Sequence, residues 1–288
     1  MNCNMLPLLL LTLLATAGIP LAAENKVDTF NAYVDSDLCA HLMLGPISPE
    51  RVECSRSTYK EGSNPVLVRL QDNLVFEVNK EKMFREVVGE LVAATGETKE
   101  KDGRIKMASI KSIDKADIPP SSPEAQLLDV RNFKAIGANA KAYEKVRHEL
   151  AMLPYISEYD FISFTMMGGH VILSGWTIRT TNRSAAANVI KKIEGVDRIT
   201  NNIEILPLGR MDMQVRAGVR ANLQRMLSRY FWGNGSDIKI VVKNGNVILL
   251  GTVATKADSD LANIQANSVS GAFKIFNMLR VAAPAKKG

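Results

Sequence analysis

The side chains with chemistry to offer are few: His41, His148 and His170, Cys39 and Cys54, and a set of arginines between residues 210 and 232. The histidines stand far apart in sequence and none adjoins a nucleophile motif. Gly168-Gly169 and Gly233-Asn234-Gly235 each lead into an apolar β-type run, whereas a phosphate loop needs a helix N-terminus behind its glycines. Acids clustered at catalytic spacing are absent. Only convergence of distant segments would make this an enzyme, so a binding protein without cofactor or metal is expected. The two cysteines have three readings. A pair 54 − 39 = 15 residues apart is, in an oxidising compartment, most simply a disulfide, worth about 3 kcal/mol in the chain-entropy picture. A metal site from Cys39, His41 and Cys54 lacks a fourth ligand and C-x-x-C spacing. Two free thiols are the third reading.

The arginines carry the binding chemistry. At helical angles Val215, Val219, Leu223, Met226, Leu227 and Tyr230 make one stripe, with Arg216 and Arg220 on one flank and Arg225 and Arg229 towards the other. Tyr230-Phe231-Trp232 closes the segment. Cations beside an apolar stripe with aromatics at one end suit a membrane interface. The same stripe would equally cover a sheet, with arginine stems lining its border. The chain is basic overall, +6 with a pI near 9.2, and each well-placed cation adds about 1 kcal/mol of attraction to anionic headgroups. Nucleic acid is disfavoured as a partner. A single-strand groove needs stacking aromatics, and Phe76 and Phe84 in the N-terminal part are expected in a core.

These residues sit on a duplicated unit. Gly168-Gly169-His170-Val171-Ile172-Leu173-Ser174-Gly175 returns as Asn244-Gly245-Asn246-Val247-Ile248-Leu249-Leu250-Gly251, at an offset of 245 − 169 = 76 residues. The register holds without a gap, pairing Gly195 with Gly271 and Asn201 with Asn277. Apolar β-rich runs flank the Gly-Gly and Asn-Gly pairs, which are hairpin signals because such turns need positive φ. Helices are expected before each hairpin and again over Asn182–Glu194 and Asp258–Ser270, with Gly195 and Gly271 as C′ residues. Gly175 and Gly251 end the second strand. Each unit therefore runs helix, strand, strand, helix, strand.

That order resembles the BON family, through Gly169-His170-Val171-Ile172-Leu173-Ser174-Gly175 and Gly195-Val196-Asp197-Arg198-Ile199-Thr200-Asn201. The second copy departs at Ala272, where the pattern has valine. The resemblance spans about half the chain and implies a small α+β fold, a cell-envelope location and attachment to phospholipid surfaces. The osmotically inducible periplasmic proteins are similar in tandem architecture.

Residues 1–23 carry the apolar run Met5 to Ala15 followed by small-residue cleavage sites, so a secretory signal peptide and a periplasmic location are expected. Cys3 precedes that run and cannot serve as a lipoprotein cysteine after it. Residues 29–113 alternate short apolar strands with glycines, as a small barrel would. They resemble exported bacterial OB-like domains through Tyr33-Val34-Asp35-Ser36-Asp37-Leu38-Cys39 and the runs beginning at Gly89 and Asp102. Thr58 stands where such relatives often carry another cysteine. Ile118-Pro119-Pro120-Ser121-Ser122-Pro123 marks a linker over 114–138, with a short helix over Leu127–Ile136. The expected fold is α+β: an OB-like barrel, then repeats over 139–207 and 210–283. Anionic phospholipid is the expected partner, with envelope proteins docking on the repeat faces as the alternative. Glu144, Glu149, Glu158 and Asp160 make the first repeat the more acidic, so the second is expected to make contact and the first to be structural.

Overall fold

The computed structural model describes residues 27–100, 103–122, 124–128, 140–232 and 236–282; the expected signal peptide lies outside them. Five strands, β1 (Val27–Ser36), β2 (Pro65–Arg69), β3 (Val75–Val78), β4 (Leu91–Lys99) and β5 (Arg104–Ser112), close into a barrel in the order β1-β2-β3-β5-β4. Alternate residues of β4 and of the first half of β5 fill the barrel: Val92, Ala94, Ile105 and Met107 point inward onto Ala32, Val34, Leu67 and Phe76. The alternation of β5 breaks after Met107, where its pairing with β4 shifts register. Phe76 and Phe84 are core residues, as expected.

Two helices between β1 and β2 have no counterpart in the sequence-based expectation: α1 (Asp37–Leu42) and α2 (Pro49–Lys60). Their signals are local. Ser36 and Ser48 are N-caps whose hydroxyls accept from the Cys39 and Arg51 amides, and Pro49 opens α2. Cys39 and Cys54 are joined in a disulfide, Cα atoms 6.0 Å apart, which ties α1 to α2. Thr58 bonds the Ser36 hydroxyl at 2.6 Å behind that disulfide. Beneath it the buried Asp35 carboxylate is gripped by Arg51, with Nε at 2.9 Å and Nη2 at 2.8 Å. Burial and the Asp35 charge push the neighbouring Tyr33 phenol up to about 12.

The segment expected to start a linker at residue 114 is partly packed on the barrel. Ile118 and Leu128 are buried in one cluster with Tyr33, Val66, Val68 and Leu70, and Lys115 donates to the Leu128 carbonyl at 2.7 Å. The helix here, α3 (Ala125–Leu128), begins before Leu127; the rest of the expected Leu127–Ile136 helix lies outside the described residues.

The repeats follow as α4 (Ala140–Ala151), β6 (Phe161–Met167), β7 (His170–Thr177), α5 (Thr180–Ile190), β8 (Arg198–Ile205), then α6 (Arg210–Met226), β9 (Ile238–Lys243), β10 (Asn246–Val253), α7 (Lys256–Asn267), β11 (Lys274–Val281). Each forms a three-stranded sheet with an antiparallel hairpin and a parallel third strand. α5 and α7 start two residues before the expected Asn182 and Asp258. At α7 a capping box fixes the start: Thr255 and Asp258 accept each other's backbone N–H. The helices stop at Ile190 and Asn267, so Gly195 and Gly271 are not C′ residues; they lie in the following turn, at φ +88° and +87°. Gly175 and Gly251 do not end the second strand but lie two residues inside β7 and β10. At φ +118° and +116° they leave no room for a side chain, because a Cβ would overlap the carbonyls of Phe161 and Asp237.

One face of each sheet is covered by its own helices: Val171, Leu173 and Ile203 pack on Val146, Ala186 and Ile190, and Val247 and Leu249 on Val219, Leu223 and Ala262. The other faces are used inside the chain. On the first repeat Thr200 and Asn202 donate to the Asp72 and Asn73 carbonyls of the barrel hairpin, at 2.8 and 2.7 Å. On the second, Val241, Ile248, Leu250 and Phe276 pack against Trp176 and Leu206 of the first repeat and Leu38 of α1. These sheet residues therefore meet other parts of the chain rather than solvent.

Candidate functional site

The short helix α1 touches every folded part of the chain. In six residues α1 sends Ala40 into the barrel cluster, Cys39 to Cys54, His41 onto the first repeat, and Asp37 and Leu38 onto the second. The His41 ring lies 4.7 Å from that of Trp176, tilted by 56°, and its Nδ1 lies 2.6 Å from the Ser174 hydroxyl. Its Nε2 faces two carboxylates, Asp37 Oδ1 at 3.4 Å and Glu204 Oε2 at 3.8 Å. On the far side of those carboxylates sits Lys243 from β9, with Nζ 2.9 Å from Asp37, 2.8 Å from Glu204 and 3.1 Å from Glu77. Three folded units thus meet on one ion cluster. Burial alone would depress the Lys243 ammonium, but Asp37, Glu204 and Glu77 outweigh it and hold the group charged. Burial opposes ionisation of Asp37 too, yet Lys243 and His41 keep its carboxyl well below the ordinary range. Glu204 is raised, by burial first and the Asp37 charge second.

Ser174, His41 and Asp37 have the order of a nucleophile, base and acid, but Ser174 is fully buried between domains and its hydroxyl meets no solvent. A substrate cannot reach it. His41 was also a sequence candidate to join the cysteines at a metal; the disulfide removes both thiolates, and His41 turns to the carboxylates instead.

The arginines expected at one surface are divided by the fold. Arg216 is buried, donating Nη1 to the Pro207 carbonyl at 3.0 Å and Nη2 to that of Val242 at 2.6 Å. It pins the start of α6 to β9. Tyr230 is buried as well, donating to Asp258 and accepting from the Ala254 amide, each at 2.8 Å. Both side chains are enclosed within the second repeat itself, so neither is offered to the surface; a helical stripe cannot show which flanking residues the rest of the same unit covers. Arg220 is ion-paired to Glu158, whose carbonyl accepts from Ile240 at 2.7 Å, so it clamps the repeats together. Phe231 packs partly on the core of the second repeat. Arg225 and Arg229 are exposed, Arg229 pairing with Asp258, and Trp232 is 77% exposed. Met226, assigned to the buried stripe by its angle, is 51% exposed beside them.

Residues 139–207 and 214–283 each match the family model of the BON domain. Both repeats are BON domains. BON domains bind phospholipids or proteins of the cell envelope and are not catalytic. Two solved structures are also similar, both at 9% identity and a TM-score of 0.21. One is the C-terminal domain of CdsD, the structural protein of the type III secretion system of Chlamydia trachomatis; the other is a second structure of CdsD. Each similarity covers 49% of this chain, and 96% and 92% of the respective CdsD chains. No curated protein matches the chain.

The first BON domain contains a histidine held neutral. His170 opens β7, accepting an Arg198 N–H at Nδ1 (2.9 Å), with Nε2 2.9 Å from the Thr200 hydroxyl. Burial, then the Arg198 charge, lower it from 6.5 to about 4, against the weaker pull of Asp72. The folded pKa is below the unfolded one, so unfolded chain takes up the proton first as pH falls. Stability associated with His170 is present above 6.5 and lost as pH falls towards about 4. Replacing His170 with glutamine is expected to flatten that part of the unfolding-midpoint profile; an unchanged slope between pH 6.5 and 4 contradicts it.

Proposed function

We propose that this protein is exported to the periplasm and associates peripherally with anionic phospholipid through its second BON domain, supporting envelope integrity or the osmotic stress response. The observation that carries this reading is the C-terminal end of α6, where Trp232 and Met226 are exposed alongside Arg225 and Arg229. An indole beside guanidinium groups matches the boundary between acyl chains and headgroups. Among the described residues no helix is long and apolar enough to cross a membrane, which fits surface attachment. The first BON domain and the barrel serve as the frame that presents this end of the molecule.

Co-sedimentation with vesicles tests the reading. Binding to anionic but not neutral phospholipid, weakened by salt, is the expected result. The double replacement Trp232→Ala and Arg225→Glu should weaken it by about tenfold or more, since a charge reversal alone changes the attraction by about 2 kcal/mol. Absence of binding to anionic vesicles, or binding that the double variant retains in full, overturns it. Arg229 is left in place because its partner Asp258 also caps α7. Docking on an envelope protein is the second reading. It has a separate patch in its favour, Met211 beside Gly271 and Phe273 over the Gly245 turn, 62% and 78% exposed.

A further inference from the structure

We propose that Asp37, His41 and Glu204 form a binding site for a divalent transition metal, zinc being the ion their donor set fits best. The ligand-type atoms His41 Nε2, Asp37 Oδ1 and Glu204 Oε2 all lie within 4.8 Å of one another, two of the separations being 3.4 and 3.8 Å. A tetrahedral ion with bonds of about 2.0–2.2 Å to imidazole and carboxylate separates its ligands by about 3.4 Å, so a small contraction closes the site. Asp37 and His41 are four residues apart on α1 and share one face of it, while Glu204 arrives from β8. One imidazole with two carboxylates selects zinc-like ions over magnesium, which has no preference for nitrogen.

The groups behind the three ligands are those a metal site needs. Without an ion, Nδ1 accepts the Gly175 N–H at 3.5 Å and Nε2 faces the carboxylates. When an ion takes the Nε2 lone pair the proton moves to Nδ1, where the Ser174 hydroxyl at 2.6 Å accepts it. Packing against the tilted Trp176 ring limits rotation of the imidazole. Lys243 holds Asp37 by Oδ2, the oxygen turned away from His41, so Oδ1 stays directed at the site. It also bonds Glu204 Oε2 at 3.0 Å, so an ion has to share that oxygen with the ammonium or displace it. A cleft of about 350 Å³, lined by Asp37, His41, Glu204, Glu77 and Asn202, opens onto the cluster and supplies both an entry path and room for a water as fourth ligand. Because the ligands come from the barrel side and from the first BON domain, the ion would clamp one to the other. The ammonium of Lys243 is the opposing influence: its charge lowers affinity, and its removal should raise it.

Isothermal titration of the chelator-treated full chain with zinc chloride, with magnesium chloride as comparison, tests the site. One zinc ion per chain is expected, with no binding of magnesium. His41→Gln, which preserves a polar group opposite Ser174, and Glu204→Gln should each weaken zinc binding by about tenfold or more, while Lys243→Met should strengthen it. Failure of the wild-type chain to bind zinc overturns the proposal even if Lys243→Met binds, since Lys243 would then be the sole cation of the cluster. Zinc binding undiminished in both glutamine variants also overturns it.

Discussion

Replacement of Lys243 by methionine is expected to destabilise the chelator-treated protein by about 3 kcal/mol, because it strands buried carboxylates whose counter-ion is gone. The value sits at the low end of the range for broken buried ion pairs for a stated reason: Glu77 is 42% exposed and water can take over its share, whereas Asp37 and Glu204 are 13% and 19% exposed. Urea unfolding at pH 7 reads the effect. The comparison is Lys256→Met, which removes an exposed pair with Asp260 four residues away and should change stability by less than about 0.5 kcal/mol. Equal midpoints for the two variants would mean the cluster contributes nothing. The loss should also be local in origin. Lys243 is the only cation that meets carboxylates of both the barrel and the first BON domain among the described ion pairs, so limited proteolysis should cut Lys243→Met between domains before it cuts within them.

The pH range of this latch follows from its members. Asp37 is held below its ordinary 3.8, so its contribution is complete above that value and lost as pH falls through the lower folded one. Lys243 is held above its ordinary 10.5, so its contribution is complete below that and lost only in strong alkali. Glu204 acts in the opposite sense, since burial raises it and ionising it costs free energy, which offsets part of the gain. The latch is closed across the physiological range.

What the sequence discloses here is whatever a short period encodes. The duplicated hairpins were legible because Asn244-Gly245 and Gly251 satisfy backbone requirements within a few residues, and the barrel because short apolar runs alternate along β4 and the start of β5. The α1 and α2 helices were not legible, since α1 has only six residues and α2, though 12 long, lacks an apolar period; only the caps Ser36 and Ser48 betray them. The site was legible in part. The exposed end of α6 could be named, but a helical stripe cannot tell Arg225, in water, from Arg216, enclosed by the Pro207 and Val242 carbonyls. The junction was invisible, because its members are scattered from Asp37 to Lys243 and no local pattern relates residues 206 positions apart. One signal was available: Lys243 occupies the position just before the hairpin turn, where the first repeat has Met167. A charge replacing an apolar residue between copies of one unit marks where the copies have different neighbours.

Removal of the disulfide is expected to have the second large effect, and one that exceeds its entropic share. Constraining a 15-residue loop contributes about 3 kcal/mol through the unfolded chain. Cys39, however, lies on the same six-residue helix as Asp37, Leu38 and His41, and a helix this short has no stability of its own. The bond to Cys54 anchors it to α2, which is held in turn by the buried Arg51–Asp35 pair. Without that anchor the contacts of α1 with both BON domains lose their fixed base, and the apolar face of Val241, Ile248, Leu250 and Phe276 loses part of its cover at Leu38. The double variant Cys39→Ser with Cys54→Ser should therefore unfold at lower urea by about 3 kcal/mol or more, and in hydrogen exchange β9 and β10 should lose protection although they are remote from the disulfide in sequence. Full protection of those strands in the double variant would show that the BON domains hold their arrangement without α1. Protection lost there, and kept in the barrel strands β4 and β5, would identify the disulfide as the part of the fold that sets how the two BON domains are presented.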